Sequence, residues 1–119
     1  MDKKETGQNG EKIAKDYLTE KGYNLIEENW VIGRLEIDLI LEKGDELIFV
    51  EVKARKSKFL GSPDIWVNKA KQNNLLKAAQ IFINKKQIEK EARFDVISVI
   101  FNDDNHNIEH IPGAFGPRW

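Results

Sequence analysis

The sequence predicts an α/β sandwich, a mixed sheet with helices packed against it. Strand-like apolar runs follow one another from Tyr23 to Ala54, with a hairpin turn signal at Lys43-Gly44-Asp45. A helical repeat precedes them, and a second separates them from two further strand-like runs. With 40% hydrophobic and 33% charged residues, the 119-residue chain has the make-up of a globular domain with one real core.

The first helix is expected over Gln8 to Lys21, because Ile13, Ala14, Tyr17 and Leu18 recur at helical spacing and Gly22 is a natural stop. Glu11 lies on the edge of that stripe, where a carboxylate either complements the helix N-terminus or reaches inward. Strands are expected over Tyr23 to Val31, Leu35 to Glu42 and Glu46 to Ala54. If Gly44-Asp45 is a two-residue loop, Lys43 pairs with Glu46, and the same ladder sets Asp38 opposite Glu51. Opposed residues of an antiparallel pair have Cβ atoms about 4.5–5.5 Å apart, so both carboxylates would be within reach of one ion.

A long helix is expected over Asp64 to Asn84, with Lys71 capping a buried stripe of Leu75, Ala78 and Phe82. Arg93 to Phe101 alternates as a strand, with Phe94, Val96, Ser98 and Ile100 on one side and Ile97, Val99 and Phe101 on the other. Asn107 to Ile111 makes a short final strand. The expectation is one domain over residues 1–119, with flexible tails at 1–7 and 112–119.

Several classes are excluded by composition. No apolar run approaches the ~20 residues needed to cross a bilayer. The opening residues lack the apolar core of a secretory signal, and with no cysteine there is neither a disulfide framework nor a thiolate zinc site. A cytoplasmic protein is the simplest reading. The net charge of −1 argues against a generic nucleic-acid coat, but the distribution is uneven. From Lys53 to Lys77 the cations Lys53, Arg55, Lys56, Lys58, Lys69, Lys71 and Lys77 face one acid, Asp64. The plain alternative is a solvated lysine-rich face.

The chemistry concentrates in Asp38 and Glu51-Val52-Lys53. Charged groups inside apolar runs are costly unless they are paired or hold a cation. Alternation puts Glu51 and Lys53 on one face of their strand and turns Val52 toward the opposite layer. Asp38, Glu51 and the carbonyl of Val52 are a hard-oxygen donor set suited to Mg²⁺, with Mn²⁺ as a substitute, and Lys53 is placed to orient a water and balance charge on a phosphate. An exposed Glu51–Lys53 pair without function is the inert alternative.

An aspartate, a gap, then Glu-x-Lys on a hairpin flanked by helices resembles the PD-(D/E)XK nuclease superfamily, which includes type II restriction enzymes and archaeal Holliday junction resolvases. Gly10-Glu11, Ala14, Tyr17-Leu18, Gly22-Tyr23, Glu36-Ile37-Asp38-Leu39-Ile40, Phe49-Val50-Glu51-Val52-Lys53, Lys71, Arg93-Phe94-Asp95-Val96, His110-Ile111 and Ala114-Phe115 look like the small bacterial YraN family. The resemblance implies a restriction endonuclease-like three-layer α/β/α core and a Mg²⁺-dependent endonuclease acting on DNA, including branched or repair-related structures. It carries the catalytic motif onto Asp38, Glu51 and Lys53, and an additional metal ligand onto Glu11. Arg55, Lys56, Lys58, Lys69 and Lys71 are the expected nucleic-acid contacts, and a homodimer is compatible with the resolvase-like relatives. The chain departs from the pattern at Leu35, where the family commonly has glycine, and at Val31, where an arginine often stands; Arg34 is placed to replace that charge. The alternative is a catalytically weak nucleic-acid-binding or partner-binding module that keeps the fold.

His106 reads as solvent-facing and His110 as core or edge packing. Trp30 and Trp66 read as core in preference to base-stacking platforms, and Trp119 as an anchor for the tail or a dimer contact.

Overall fold

Asp2 starts the chain's first element. Its side chain accepts a hydrogen bond from the Glu5 backbone N–H while Glu5 reaches back to the Asp2 N–H, a reciprocal cap that launches helix α1 over Lys3–Glu20. The helix therefore begins well before Gln8, and residues 3–7 are helical where a tail was expected. The Asp-x-x-Glu spacing was its signal. The computed structural model describes residues 2–56 and 67–116. Strands β1 (Asn24–Ile32), β2 (Leu35–Lys43) and β3 (Glu46–Lys56) follow, then helix α2 (Lys69–Lys86) and strands β4 (Glu91–Phe101) and β5 (His106–Phe115).

This is the expected order, and it forms one five-stranded mixed sheet in the order β1-β2-β3-β4-β5. Strands β3 and β4 run parallel, joined through α2, and the other neighbours are antiparallel. The two helices cover opposite faces. Ala14 and Leu18 of α1 pack on Leu39, Leu41, Ile48, Val50, Ile97 and Val99. Leu75, Ala78, Ala79 and Phe82 of α2 pack on Ile37, Ile40, Leu47, Phe49, Phe94 and Val96. Strands β3 and β4 are buried on both faces, which is why they read as nearly continuous apolar runs.

Helix α1 lies close to the sheet. Buried Thr6, Gly10, Ala14 and Leu18 recur every four residues along one side, and a Cβ at Gly10 would collide with the Ala54 side chain on β3. Helix α2 starts at Lys69, capped by Asn68, whose side chain accepts from the Lys71 N–H at 2.8 Å. The expected start at Asp64 lies outside the described residues, but Val67 and Asn68 are not helical, so the helix does not run unbroken from there.

The final strand is longer than expected. It continues through Pro112 and Gly113 to Phe115, so residues 112–115 belong to the sheet. Proline is tolerated because β5 is an edge strand, and Gly113 (φ 61°) takes up a shift in register between Phe94 and Val96. Phe115 then stacks on Phe94, which stacks on Phe49. Trp30 is core-facing as expected, with its ring 5.1 Å from that of Phe82. Trp66 and Trp119 lie outside the described residues.

Candidate functional site: an acid pair at a break in the β2–β3 hairpin

The turn sets the site. Gly44 takes φ 59°, Lys43 pairs with Glu46, and the ladder runs in the expected register to Leu39–Val50. The next step brings Asp38 beside Glu51, and there the regular ladder ends. The Asp38 carboxylate Oδ2 accepts a hydrogen bond from the Val52 N–H at 2.8 Å, so a side chain takes up the backbone donor.

Strand β2 changes phase at the same place. Leu35 and Ile37 pack on the α2 side, Leu39 and Leu41 on the α1 side, and Ile40 again on the α2 side. Strict alternation would put residues 35, 37, 39 and 41 on one face. The shift falls at Asp38. In the neighbouring strand Asn29 lies between the Glu28–Leu39 and Trp30–Ile37 pairs and has φ 50°, a left-handed conformation that asparagine tolerates better than most residues. Asp38 is thereby reached from both layers: Glu11 on α1 and Lys71 on α2 both act on its charge.

Glu51 is almost fully buried, with 6% of its surface exposed. Burial and the neighbouring Asp38 charge push its carboxyl up to about 7, against the favourable fields of Lys71 and Lys53. Asp38 is also raised, chiefly by burial, and is helped back toward ionisation by the Val52 N–H and by a hydrogen bond with Glu51. Burial raises both carboxyls, and the Asp38 charge adds to the rise at Glu51, so the pair holds on to a proton above the ordinary carboxylate range. Like charges this close do not both ionise in a partly dry pocket.

Around the pair, Lys71 places Nζ 3.7 Å from Glu51 Oε2, with nearly half of its side chain in solvent. It therefore spans from the surface to the buried acid, as its place at the end of the α2 stripe implied. Lys53 is half-buried and its charge favours ionised Glu51. Val52 packs in the α1-side cluster, so its side chain points away from the acids as alternation required. Glu11 is half-buried; burial and Asp38 raise its carboxyl, while a hydrogen bond from the Asn29 side chain opposes the rise. A cleft of about 200 Å³ opens beside it between α1 and β1, lined by Gln8, Glu11, Lys15, Glu28 and Asn29. Among the described residues, no three histidine or acidic side chains already converge as a complete metal cage.

Of the expected phosphate contacts, Lys69 and Lys71 lie in the first turn of α2, whereas Arg55 and Lys56 end β3. Lys58 lies outside the described residues. All four described cations belong to the two elements that carry Glu51 and its partner Lys71.

A second polar cluster was not expected from the sequence. Asp95 is completely buried on β4. Arg93 donates to both of its oxygens at 2.8 and 2.9 Å, the Gly113 N–H donates at 3.0 Å, and His110 Nε2 lies 2.7 Å away. Burial alone would raise the Asp95 carboxyl, but His110, Arg93 and the Gly113 N–H together hold it below its ordinary value. Arg93 continues the chain of contacts to the Tyr23 hydroxyl and Glu46. The rings of Tyr17 and Tyr23 stand edge-on to His110. His110 is thus a packed, hydrogen-bonded core residue. The i, i+2 opposite charges of Arg93 and Asp95 inside an apolar strand were the available signal.

The fold and this site define a three-layer α/β/α domain that carries a pair of largely buried acids where two strands part. The sequence profile of an uncharacterised protein family, UPF0102, matches residues 10–99, and the chain belongs to that family. A UPF0102 protein of Dictyoglomus turgidum is 41% identical over 97% of this chain and 100% of its own length. One from Clostridium tetani is 42% identical over 94% of each chain, and one from Flavobacterium psychrophilum is 38% identical over 92% of each.

Proposed function

We propose that this chain is a Mg²⁺-dependent endonuclease that hydrolyses phosphodiester bonds in DNA, with branched or repair-related structures as its substrate class. The observation that carries the reading is the Asp38–Glu51 pair, two acids brought together on adjacent strands by the hairpin register, with Glu51 buried and Asp38 tied to the Val52 N–H. A divalent cation can replace the proton the pair holds and relieve the repulsion that keeps it bound, and carboxylate oxygens are the donors such a cation prefers. Asp38 and Glu51 would hold the ion, with the Val52 carbonyl and Glu11 as further oxygen donors. When bound, the ion supplies positive charge to offset charge developing on the phosphate.

The chain's own residues supply the rest. Lys53, beside Glu51, orients a water and offsets negative charge on the phosphate. Lys71 keeps Glu51 closer to its ionised form than burial alone would allow. Arg55, Lys56 and Lys69, on the same two elements, are suited to phosphate contacts that position a strand without reading its sequence. The arrangement matches the Asp…Glu-x-Lys pattern of the PD-(D/E)XK superfamily and the YraN-like resemblance over most of the chain.

The test is cleavage of labelled duplex, flap and four-way DNA with Mg²⁺ or Mn²⁺. Wild type is expected to cut at least one substrate, whereas Asp38→Asn, Glu51→Gln and Lys53→Met should not. A parallel melt should show Mn²⁺ stabilising wild type and not Asp38→Asn. Equal behaviour of all the proteins in both assays would defeat the proposal. One observation favours a second reading, a nucleic-acid- or partner-binding module with weak turnover: the described acids do not form a complete three-ligand cage. Metal-independent DNA binding without cleavage would select it.

A further inference from the structure

The cleft between α1 and β1 lies on the other side of the sheet from Lys53 and Lys71. Along β3, Leu47 and Phe49 pack in the α2-side cluster and Val52 and Ala54 in the α1-side cluster. Alternation therefore turns Glu51 and Lys53 toward the α2 layer, where Lys71 comes within 3.7 Å of Glu51. The cleft opens in the α1 layer and still adjoins the acid pair. Its floor is buried Leu39, the residue after Asp38. Its strand wall carries Asn29, which lies between the Glu28–Leu39 and Trp30–Ile37 pairs and so alongside Asp38.

The lining differs in chemistry from the cationic side. Lys12 Nζ is paired with Asp16 at 3.2 Å and Lys15 Nζ with Glu28 at 3.1 Å, so these lysines wall the helix side with their stems while their charges are met elsewhere. The Glu11 carboxylate and the amides of Gln8 and Asn29 remain, a set rich in acceptors. Such a lining does not favour a phosphate and suits a flat, neutral group that donates hydrogen bonds. Its volume of about 200 Å³ is below the ~300–1,000 Å³ of sites for drug-sized ligands, and matches a single ring system.

We propose that this cleft receives one unpaired nucleobase of a DNA strand whose backbone lies at the acid pair, and that it favours cytosine, adenine and guanine over thymine. This rests on the nuclease reading above and narrows its substrate to DNA with an unpaired nucleotide beside the bond that is cut. Leaving the stack is least costly for a base that is mismatched or already single-stranded, so a bulge, flap or gap enters where a continuous duplex does not. The amino groups of cytosine, adenine and guanine donate to the carboxylate and amide oxygens of the lining. Thymine carries no amino group.

The test is metal-free binding, followed by fluorescence anisotropy, to duplexes carrying one bulged cytosine, adenine, guanine, thymine or abasic position. Wild type should bind the three amino-bearing bulges about tenfold more tightly than the thymine or abasic ones, within the range of a well-made base-edge contact. Gln8→Phe fills the cleft from α1, and Asn29→Gly removes an amide from β1 while keeping the left-handed backbone there (φ 50°). Each should bring the ratio close to one. Both residues are exposed, and a ratio between substrates is insensitive to a general loss of folded protein. Equal affinity of wild type for all five duplexes, no binding to any of them, or a ratio that survives both substitutions would overturn the proposal. Mn²⁺-dependent cleavage of the same duplexes is read separately. Cutting without base preference would remove the role of the cleft and leave the nuclease reading standing. Base preference in binding with no cutting would remove the nuclease reading and leave the cleft as a base-binding site.

Discussion

Replacing Glu51 by glutamine gives the sharpest test of the acid pair. Burial and Asp38 lift the Glu51 carboxyl from an ordinary 4.5 to about 7, so the folded chain binds a proton there that the unfolded chain releases. For an acid with a raised value, stability is greatest below the unfolded value near 4.5 and falls as pH rises toward the folded value near 7. The difference between 4.5 and about 7, at about 1.4 kcal/mol per pH unit, amounts to about 3 kcal/mol lost by pH 8. Glutamine holds the same volume, can donate to Asp38 and never ionises. Metal-free Glu51→Gln should therefore be about 3 kcal/mol more stable than wild type at pH 8, a rise of about 10 °C in Tm for a chain of this size. At pH 5 the advantage should shrink to about 1 kcal/mol, and near pH 3 it should vanish. Urea denaturation of both proteins at the three pH values measures it. A constant difference across pH, or a less stable Glu51→Gln at pH 8, would refute the account of a retained proton.

Other changes separate the site from the scaffold. Asp95→Ala leaves Arg93 and His110 facing a void where their acid was, and should cost about 3–5 kcal/mol in chemical denaturation. Because Asp95 lies below its ordinary 3.8, its contribution is complete above that pH and is lost as pH falls further; an acid titration of wild type should show this loss and Asp95→Asn should not. Gly10→Ala forces a methyl against Ala54 and should destabilise by about 1–3 kcal/mol, read as a lower urea midpoint, whereas Gly7→Ala meets nothing and should be neutral or stabilising. Lys71→Met removes a cation 3.7 Å from Glu51, so the pH midpoint of Glu51, followed by its side-chain carbon resonance, should move upward. An unchanged midpoint would mean that Lys71 does not act on the pair.

Much of the scaffold was legible because each signal is local. The order of elements follows from switching between helical and alternating periodicity, and both helices show their buried stripes in residues a few positions apart. The ends were less legible. Asp2-x-x-Glu5 cap chemistry starts α1 before its apolar stripe, and β5 passes through Pro112-Gly113, residues that usually close a strand. Asn68 caps α2 where Pro63-Asp64 offered an earlier start signal.

The candidate site divides in the same way. A two-residue Gly44-Asp45 turn determines, by counting back along the hairpin, that Asp38 meets Glu51, and alternation determines that Val52 faces the other layer. The sequence by itself therefore determined the element order, the hairpin register and the acid pair, since each depends on spacing along one chain segment. Only the tertiary structure decided that β2 changes phase at Asp38, that Asn29 and Glu11 line one cleft, that Lys71 comes within reach of Glu51, and that Asp95 gathers Arg93 and His110. Those meetings join residues on separate elements, and their distances follow from how helices seat on a twisted sheet, which no periodicity within one element encodes.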